Sequence, residues 1–340
     1  MTALGALGVF EAAYWAFHMF KSERESEPLN EHTFISRAVF ADARLWVLNY
    51  WGELSSIIPG AKARVSAGLA DRVLDVCTAD GAVQILSCAR EACNTWTLRR
   101  RTEGGWTTLA TLPAESDVLA ALSCTPARTV VLTEHRLIQI SDGKSVPLRL
   151  SQKIEGGIRV SLHLTPEHVF VGINVGEWGG GVRRVELETG RVSVIEKITG
   201  GPVHAIVDDP WQPGCLLAAI GLVHLGARGW IAGLCEQDVR EVYARALGNP
   251  EDPDEPGRAR SDSFEAFFGL ARVGTQLVAT GIDGIYRFDG PGEPARTPLP
   301  EFETIGDVEV SFALPDVVLV RTNINRQASL GGAVPLLVPR

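Results

Sequence analysis

The chain has 340 residues and a formal net charge of −9, with 45% hydrophobic and 21% charged residues. This composition is typical of a globular protein with a sizeable core and excludes an intrinsically disordered chain. The longest basic run is Arg99–Arg101. An acidic chain without a basic patch lacks the charge needed to bind a phosphate backbone, so nucleic acid is excluded as an expected partner.

Residues 3–20 form an apolar segment that is interrupted by Glu11 and His18. A secretory signal has basic residues before its apolar core, whereas Lys21 and Arg24 follow it here. A transmembrane helix disfavours a central Glu, which costs about 2.5 kcal/mol or more on insertion scales. We interpret residues 1–31 as an N-terminal extension, an apolar helix docked on the body or a non-native start, followed by a polar linker.

A membrane anchor and a signal peptide are the alternatives for this extension, and membrane contact is expected only through residues 3–20. The predicted localisation is cytoplasmic, with a periplasmic or anchored protein as the alternative. The folded domain is expected to span residues 32–340.

After residue 32, short runs rich in β-branched residues are bounded by turn residues, and helical periodicity is absent. The runs form groups with a period of about 40–50 residues, in the range of a four-stranded propeller blade. First runs often end in a Pro or Asp turn (LSCTP, LHLTP), and third runs in a Gly turn (ETG, SDG). One such sheet cannot bury both of its faces, but a ring of sheets buries them.

The sequence therefore predicts an all-β fold, a β-propeller of seven four-stranded blades. A pair of β-sandwich domains is the alternative, although no linker divides the series of strands.

Two stretches carry a resemblance to known repeats, VFVGINVGEWGGGVRRVELETGRVSVI and VDDPWQPGCLLAAIGLVHL. In pattern they resemble the broad superfamily of bacterial propellers with YVTN-type, quinoprotein-type and sialidase-type repeats. The second stretch is similar to the DP-x-x-P turn that precedes an inner strand in many such repeats. The Trp-Asp ending of WD repeats and the aspartate box of sialidases are both missing. The resemblance implies a fold and no functional residue.

Ring closure has two possible modes. The last group of runs shows three clear strands, and TFISRAVF near the N-terminus is a candidate fourth strand that would pair with the C-terminal AVPLLVP. A plain C-terminal closure is the alternative.

The six cysteines are expected to be mostly buried free thiols, since five of them lie in or beside apolar runs and none forms a CxxC pair. An oxidised framework is the alternative, and a hairpin disulfide between Cys88 and Cys93 is conceivable from their spacing.

In a propeller, turns between second and third strands open on the same face as the connections between blades, and that face commonly holds the ligand. These turns are rich in polar and aromatic residues. The predicted ligand-binding residues are Asn49, Trp51, Glu53, His135, Asn174, Glu177, Trp178, His224, Asp283 and Asn323. Arg228, Asn325 and Arg326 lie in the same turns.

The most unusual of these turns is NVGEWGGG. Its three glycines, Gly179 to Gly181, exceed what a hairpin needs, and glycine permits close approach of another group to the backbone. One interpretation is a loop that presents Glu177 and Trp178 to a ligand. The other is a structural turn, with Trp178 packed between blades and Glu177 bonded to local amides.

Other chemical signals are weak. The four histidines at 163, 168, 204 and 224 favour structural roles, and Asp208 and Asp209 before Pro210 favour a turn. No GxSxG motif is present. Residues 248–262 predict a solvated loop, with a lid or a partner-binding flap as the alternative.

The sequence thus predicts a non-catalytic propeller that binds a protein, peptide or small molecule at the channel mouth, without a cofactor. The alternative is a metal-dependent hydrolase or lactonase with Glu, Asn, Asp and His ligands at the same face. Catalytic residues are not assigned.

Overall fold

The computed structural model describes residues 35–57, 65–155, 159–198, 200–224, 226–236, 238–247, 264–298, 308–313, 317–322 and 336–339. The predicted N-terminal extension and the 248–262 segment lie outside these residues. No helix in the described ranges is long and apolar enough to cross a membrane.

The strands form a series of antiparallel sheets, each built from strands consecutive in sequence. The first three blades are β1–β4 (Ile35–Ala41, Arg44–Asn49, Leu54–Ile57, Val65–Ser66), β5–β8 (Arg72–Ala79, Ala82–Cys88, Thr95–Thr102, Gly105–Pro113) and β9–β12 (Leu119–Cys124, Thr129–Thr133, Arg136–Ser141, Lys144–Arg149). The next three are β13–β16 (Arg159–Leu164, His168–Asn174, Gly180–Glu186, Val192–Val194), β17–β20 (Val203–Asp208, Leu216–Val223, Ala227–Cys235, Asp238–Tyr243) and β21–β24 (Phe267–Val273, Gln276–Gly281, Gly284–Phe288, Ala295–Pro298). The last sheet is β25–β27 (Val308–Ala313, Val317–Thr322, Leu336–Pro339).

The first strand of each sheet lies next to the first strands of the neighbouring sheets, so the innermost strands β1, β5, β9, β13, β17, β21 and β25 form a ring. The predicted all-β propeller is confirmed. The predicted number of four-stranded blades is wrong, because the described residues form six of them, and the last sheet has three strands.

The ring closes where β25 lies beside β1. The proposed pairing of TFISRAVF with AVPLLVP is wrong, since β1 pairs with β2 as the innermost strand of blade 1, and β27 pairs with β26. An innermost strand has neighbouring blades on both sides, so β1 cannot also serve as an outer strand of the last sheet.

The core lies between the blades, where second and third strands are buried almost continuously. Val130 and Leu132 of β10 pack with Val169 and Val171 of β14 in one cluster that joins blades 3 and 4. Each fully buried Val or Leu contributes about 1.5–3 kcal/mol from apolar burial. The packing of blade on blade explains why the strands contain so few polar residues.

Five innermost strands carry a β-bulge close to their first residue. The extra residues are Ser36, Leu74, Ala120, His204 and Phe268. A bulge changes the direction of a side chain and increases the local twist. The bulges therefore set the shape of the channel rim on the face where first strands begin.

All six cysteines are paired, so the expectation of free thiols is wrong. The pairs are Cys77–Cys124, Cys88–Cys93 and Cys215–Cys235. The hairpin disulfide in blade 2 was conceivable from spacing, whereas Cys77–Cys124 joins β5 of blade 2 to β9 of blade 3 and requires the ring geometry. The predicted cytoplasmic localisation stays a prediction.

Candidate functional site

One face of the ring carries the turns between second and third strands and the connections between blades, and we call it the turn face. Large hydrophobic side chains that are exposed in the described part of the chain concentrate there. Tyr50, Val118, Trp178 and Phe264 belong to the turn face, whereas Val65 and Val146 lie elsewhere.

The turn of blade 4 is fixed by its own backbone. Asn174, 1% exposed, accepts a hydrogen bond from the backbone N–H of Gly176 at 2.7 Å. A single 3₁₀ turn, Gly176–Trp178, follows, and the N–H of Val175 donates to the carbonyl of Gly179 at 2.9 Å. The side chain of Trp178 is nevertheless 78% exposed. An ordered backbone thus presents an indole ring to solvent.

The run of glycines in this turn has a structural reason. A Cβ at Gly179 would lie 3.2 Å from backbone atoms of Gly200, and a Cβ at Gly180 would lie 2.9 Å from the carbonyl oxygen of Gly201 and collide with that of Ile173. All three glycines have positive φ. The glycines let the turn lie against the connection to blade 5, so close approach by the chain itself explains them.

Glu177 reaches from this turn to the neighbouring blade. Its Oε2 lies 2.8 Å from Nε2 of His224, which is in the turn between the second and third strands of blade 5. The side chains are 41% and 52% exposed, so the pair contributes little to stability. The pair joins two predicted site residues and directs the Glu177 side chain towards blade 5.

The hairpin that carries His224 borders a second exposed aromatic residue. The N–H of Phe264 donates to the carbonyl oxygen of Ala227 at 2.8 Å, and Phe264 is 39% exposed. Arg228, the next residue along β19, is exposed and has no ion-pair partner in the described ranges. The turn face from blade 4 to blade 6 therefore combines two aromatic rings with two basic groups.

The predicted residues of blade 1 form a local cluster. Asn49 accepts hydrogen bonds from the N–H groups of Trp51 and Glu53 and donates to Oε2 of Glu53 at 2.8 Å. Asn49 is 7% exposed. Its side chain closes the turn, as the side chain of Asn174 does in blade 4, and Glu53 is held by that turn.

Of the remaining predicted residues, two lie on other blades. His135 is exposed on blade 3. Asp283 of blade 6 is bound by Arg245 at 2.5 Å and by Arg296 at 2.6 Å. Asn323 lies outside the described residues. The structure therefore brings together Glu177 and His224, and Asn49 and Glu53, but not the whole set.

Blade 6 holds a buried polar network that was not predicted from the sequence. Glu265 is 0% exposed and accepts hydrogen bonds from the hydroxyl of Tyr286 at 2.7 Å and from the N–H of Asp283 at 2.8 Å. Arg245 donates to Glu265 at 3.3 Å and to the Tyr286 hydroxyl at 2.9 Å. A Cβ at Gly281 would collide with the Glu265 carboxylate. The signal in the sequence was a single Glu inside the apolar run FEAFFGLA.

Burial raises the pKa of Glu265, and the hydrogen bonds from Asp283 and Tyr286 oppose this shift only in part. Burial, together with the adjacent Glu265 carboxylate, also raises the pKa of Tyr286. The pKa of Arg245 is raised: burial lowers it, but the hydrogen bond to Asp283 and the Tyr286 oxygen outweigh that. This network of hydrogen bonds joins the connection between blades 5 and 6 to the turn of blade 6.

Among the described residues, no three His, Cys, Asp or Glu side chains lie in an arrangement that could hold a metal ion.

Comparisons with known proteins give the fold and no family. No family model matches, and no curated protein matches. The structure of YCF48 bound to D1 peptide is 14% identical, with a TM-score of 0.52 over 89% of this chain and 95% of that one. The computationally designed Ika8 protein is 11% identical, with a TM-score of 0.51 over 91% and 97%.

The similar structures include several β-propellers. This chain is a β-propeller. At these identities the similarity shows the fold alone. BamB from Moraxella catarrhalis is 13% identical with a TM-score of 0.44, over 88% of this propeller and 95% of BamB, which is too low to support an argument.

Proposed function

We propose that this propeller is a binding module that holds a peptide segment of another protein on its turn face. The observation that carries the proposal is Trp178, which is 78% exposed on a turn whose backbone is held by Asn174 and by the glycines against blade 5. Tryptophan is enriched among the residues that dominate binding energy. A rigid turn lowers the entropy lost when the ring is covered.

The wider pattern supports a peptide over a small molecule. Exposed apolar residues occur at several blades of the turn face, as suits an extended segment. A similar fold occurs in a protein bound to a peptide, the YCF48 structure. The similarity supports a peptide as the class of partner and gives no information on the sequence of that peptide.

The test is selection from a phage-displayed library of random dodecapeptides on the full chain, followed by binding of the enriched phage to Trp178→Ala. We expect enriched peptides whose affinity falls at least tenfold on Trp178→Ala, since a buried Trp at an interface is worth about 2 kcal/mol or more. The matched control is Trp106→Phe, a tryptophan packed on Trp46 away from the turn face, which should leave the affinity unchanged. Failure to enrich any peptide that depends on Trp178 would overturn the proposal.

A further inference from the structure

The hairpin of blade 5 lies between two exposed aromatic residues on the turn face. On the blade 4 side, His224 is joined to Glu177, the neighbour of Trp178, at 2.8 Å. On the blade 6 side, the N–H of Phe264 is bonded to the carbonyl of Ala227 at 2.8 Å. Trp178 and Phe264 therefore flank one hairpin, and we call the surface formed by Trp178, His224, Arg228 and Phe264 the aromatic strip.

The charges of the strip are unequal. Glu177 is the acidic group in direct contact with the hairpin, and its carboxylate is occupied by His224. The guanidinium of Arg228 is exposed and has no acidic partner among the described residues. Arg245 and Arg296, by contrast, share Asp283. Arg228 is thus the cation of the strip that remains available to an incoming group.

A protein of net charge −9 has no general attraction for acidic partners. An exposed guanidinium without an acidic partner among the described residues, on a hairpin that two exposed aromatic residues flank, is therefore a specific feature, because a planar guanidinium binds carboxylates through two parallel hydrogen bonds. Partner side chains that cover the flanking Trp178 and Phe264 would exclude water from that contact and strengthen it.

We infer that the partner segment carries an Asp or Glu side chain between two apolar side chains. The carboxylate binds Arg228, and the apolar side chains cover Trp178 and Phe264. This inference rests on the proposed function, because it names the chemistry of the segment that the turn face receives.

The experiment compares three properties of peptides enriched from random dodecapeptides on the full chain. We expect enrichment of acidic residues flanked by apolar ones, at least tenfold weaker binding to Arg228→Glu, and weaker binding to Phe264→Ala. Arg228→Glu should also favour peptides with Lys in place of the acid. Arg44→Glu, with the same charge change at the start of β2 on the opposite face, is the matched control and should have little effect.

The outcomes separate the two proposals. Peptides that depend on Trp178 but show no acidic enrichment and no loss with Arg228→Glu would overturn the inferred chemistry and leave the peptide-binding face intact. Equal losses with Arg228→Glu and Arg44→Glu would also overturn it, because the effect would then come from net charge. Absence of any Trp178-dependent peptide would overturn both.

Discussion

Glu265 is a charged residue at a position where the propeller is otherwise apolar. Its carboxylate has no exposed surface, lies beside Ala266 and Phe267 in sequence, and accepts hydrogen bonds from Tyr286 and Asp283. A buried carboxylate with several donors holds its neighbours in one arrangement, but desolvation makes its charged form costly. The residue therefore links stability to pH.

The first prediction concerns this link. Because burial raises the pKa of Glu265 in the folded protein, the folded state binds this proton more tightly than the unfolded state does. Stability from this residue is complete below its unfolded pKa of about 4.3, declines as pH rises towards the raised pKa, and is then constant. The free energy of unfolding of wild type should therefore fall relative to that of Glu265→Gln across this window, measured by urea unfolding at several pH values.

A suitable control is Thr280→Val in the same blade. It removes a buried hydroxyl that has no hydrogen-bond partner among the described residues, and it removes no titratable group. Its difference from wild type should be the same at every pH. If the Glu265→Gln difference is equally flat, the carboxylate does not titrate differently on folding.

The turn Val175–Gly181 shows what sequence patterns can and cannot predict. Alternation, turn residues and the repeat period predicted the strands β14 and β15 and marked the glycine run as unusual. They did not show that the glycines touch Gly200 and Gly201, because that contact depends on the angle between two blades. The structural interpretation was right about the backbone and wrong about the two side chains, because Trp178 is exposed and Glu177 pairs with His224. Presentation of Trp178 to a ligand stays a prediction.

The same limit applies to the rest of the candidate site. Two sets of contacts join residues that are 18–47 positions apart in the sequence. They are the pair of Glu177 with His224 and the hydrogen-bond network around Glu265. Local patterns describe one strand and its turn, whereas these contacts arise when separate blades are placed side by side. The Asn49 cluster, which lies within one turn, was the part accessible to sequence reasoning.

The second prediction tests the glycine contacts of this element. Gly180→Ala places a methyl group against the carbonyl oxygens of Ile173 and Gly201, so we expect a loss of about 1–3 kcal/mol in the free energy of unfolding. Gly104→Ala is the control, since a Cβ there meets no atom within 4 Å. Urea unfolding of both variants gives the comparison. Equal stability of the two would mean that the turn can move away from blade 5 without cost.

At the scale of the molecule, innermost strands are joined across blades by polar contacts as well as by packing. Asp75 of β5 binds Arg37 of β1 at 3.1 Å and accepts from the N–H of Leu122 in β9 at 2.8 Å. Asp208 of β17 lies 3.0 Å from His163 of β13. The carboxylate of Asp75 thus connects blades 1, 2 and 3. Stability of the ring depends on such links because no blade buries its faces alone.

The disulfides offer a third prediction about the ring as a whole. Cys77–Cys124 spans 47 positions and joins two blades, whereas Cys88–Cys93 spans 5 positions within one turn. Chain-entropy arguments give a stabilisation of about 4 kcal/mol for the longer loop and about 2 kcal/mol for the shorter one. Cys77→Ala/Cys124→Ala should therefore lower the free energy of unfolding by more than Cys88→Ala/Cys93→Ala, measured by urea unfolding under oxidising conditions.

The comparison within one protein holds the rest of the chain constant, and repeating it in a reductant provides the control. With all disulfides reduced, the two double variants should differ only by the packing of the substituted side chains, so the gap between them should shrink. A larger loss from Cys88→Ala/Cys93→Ala would contradict the entropic argument. It would show that the fixed turn of blade 2, rather than the link between blades 2 and 3, limits the stability of the ring.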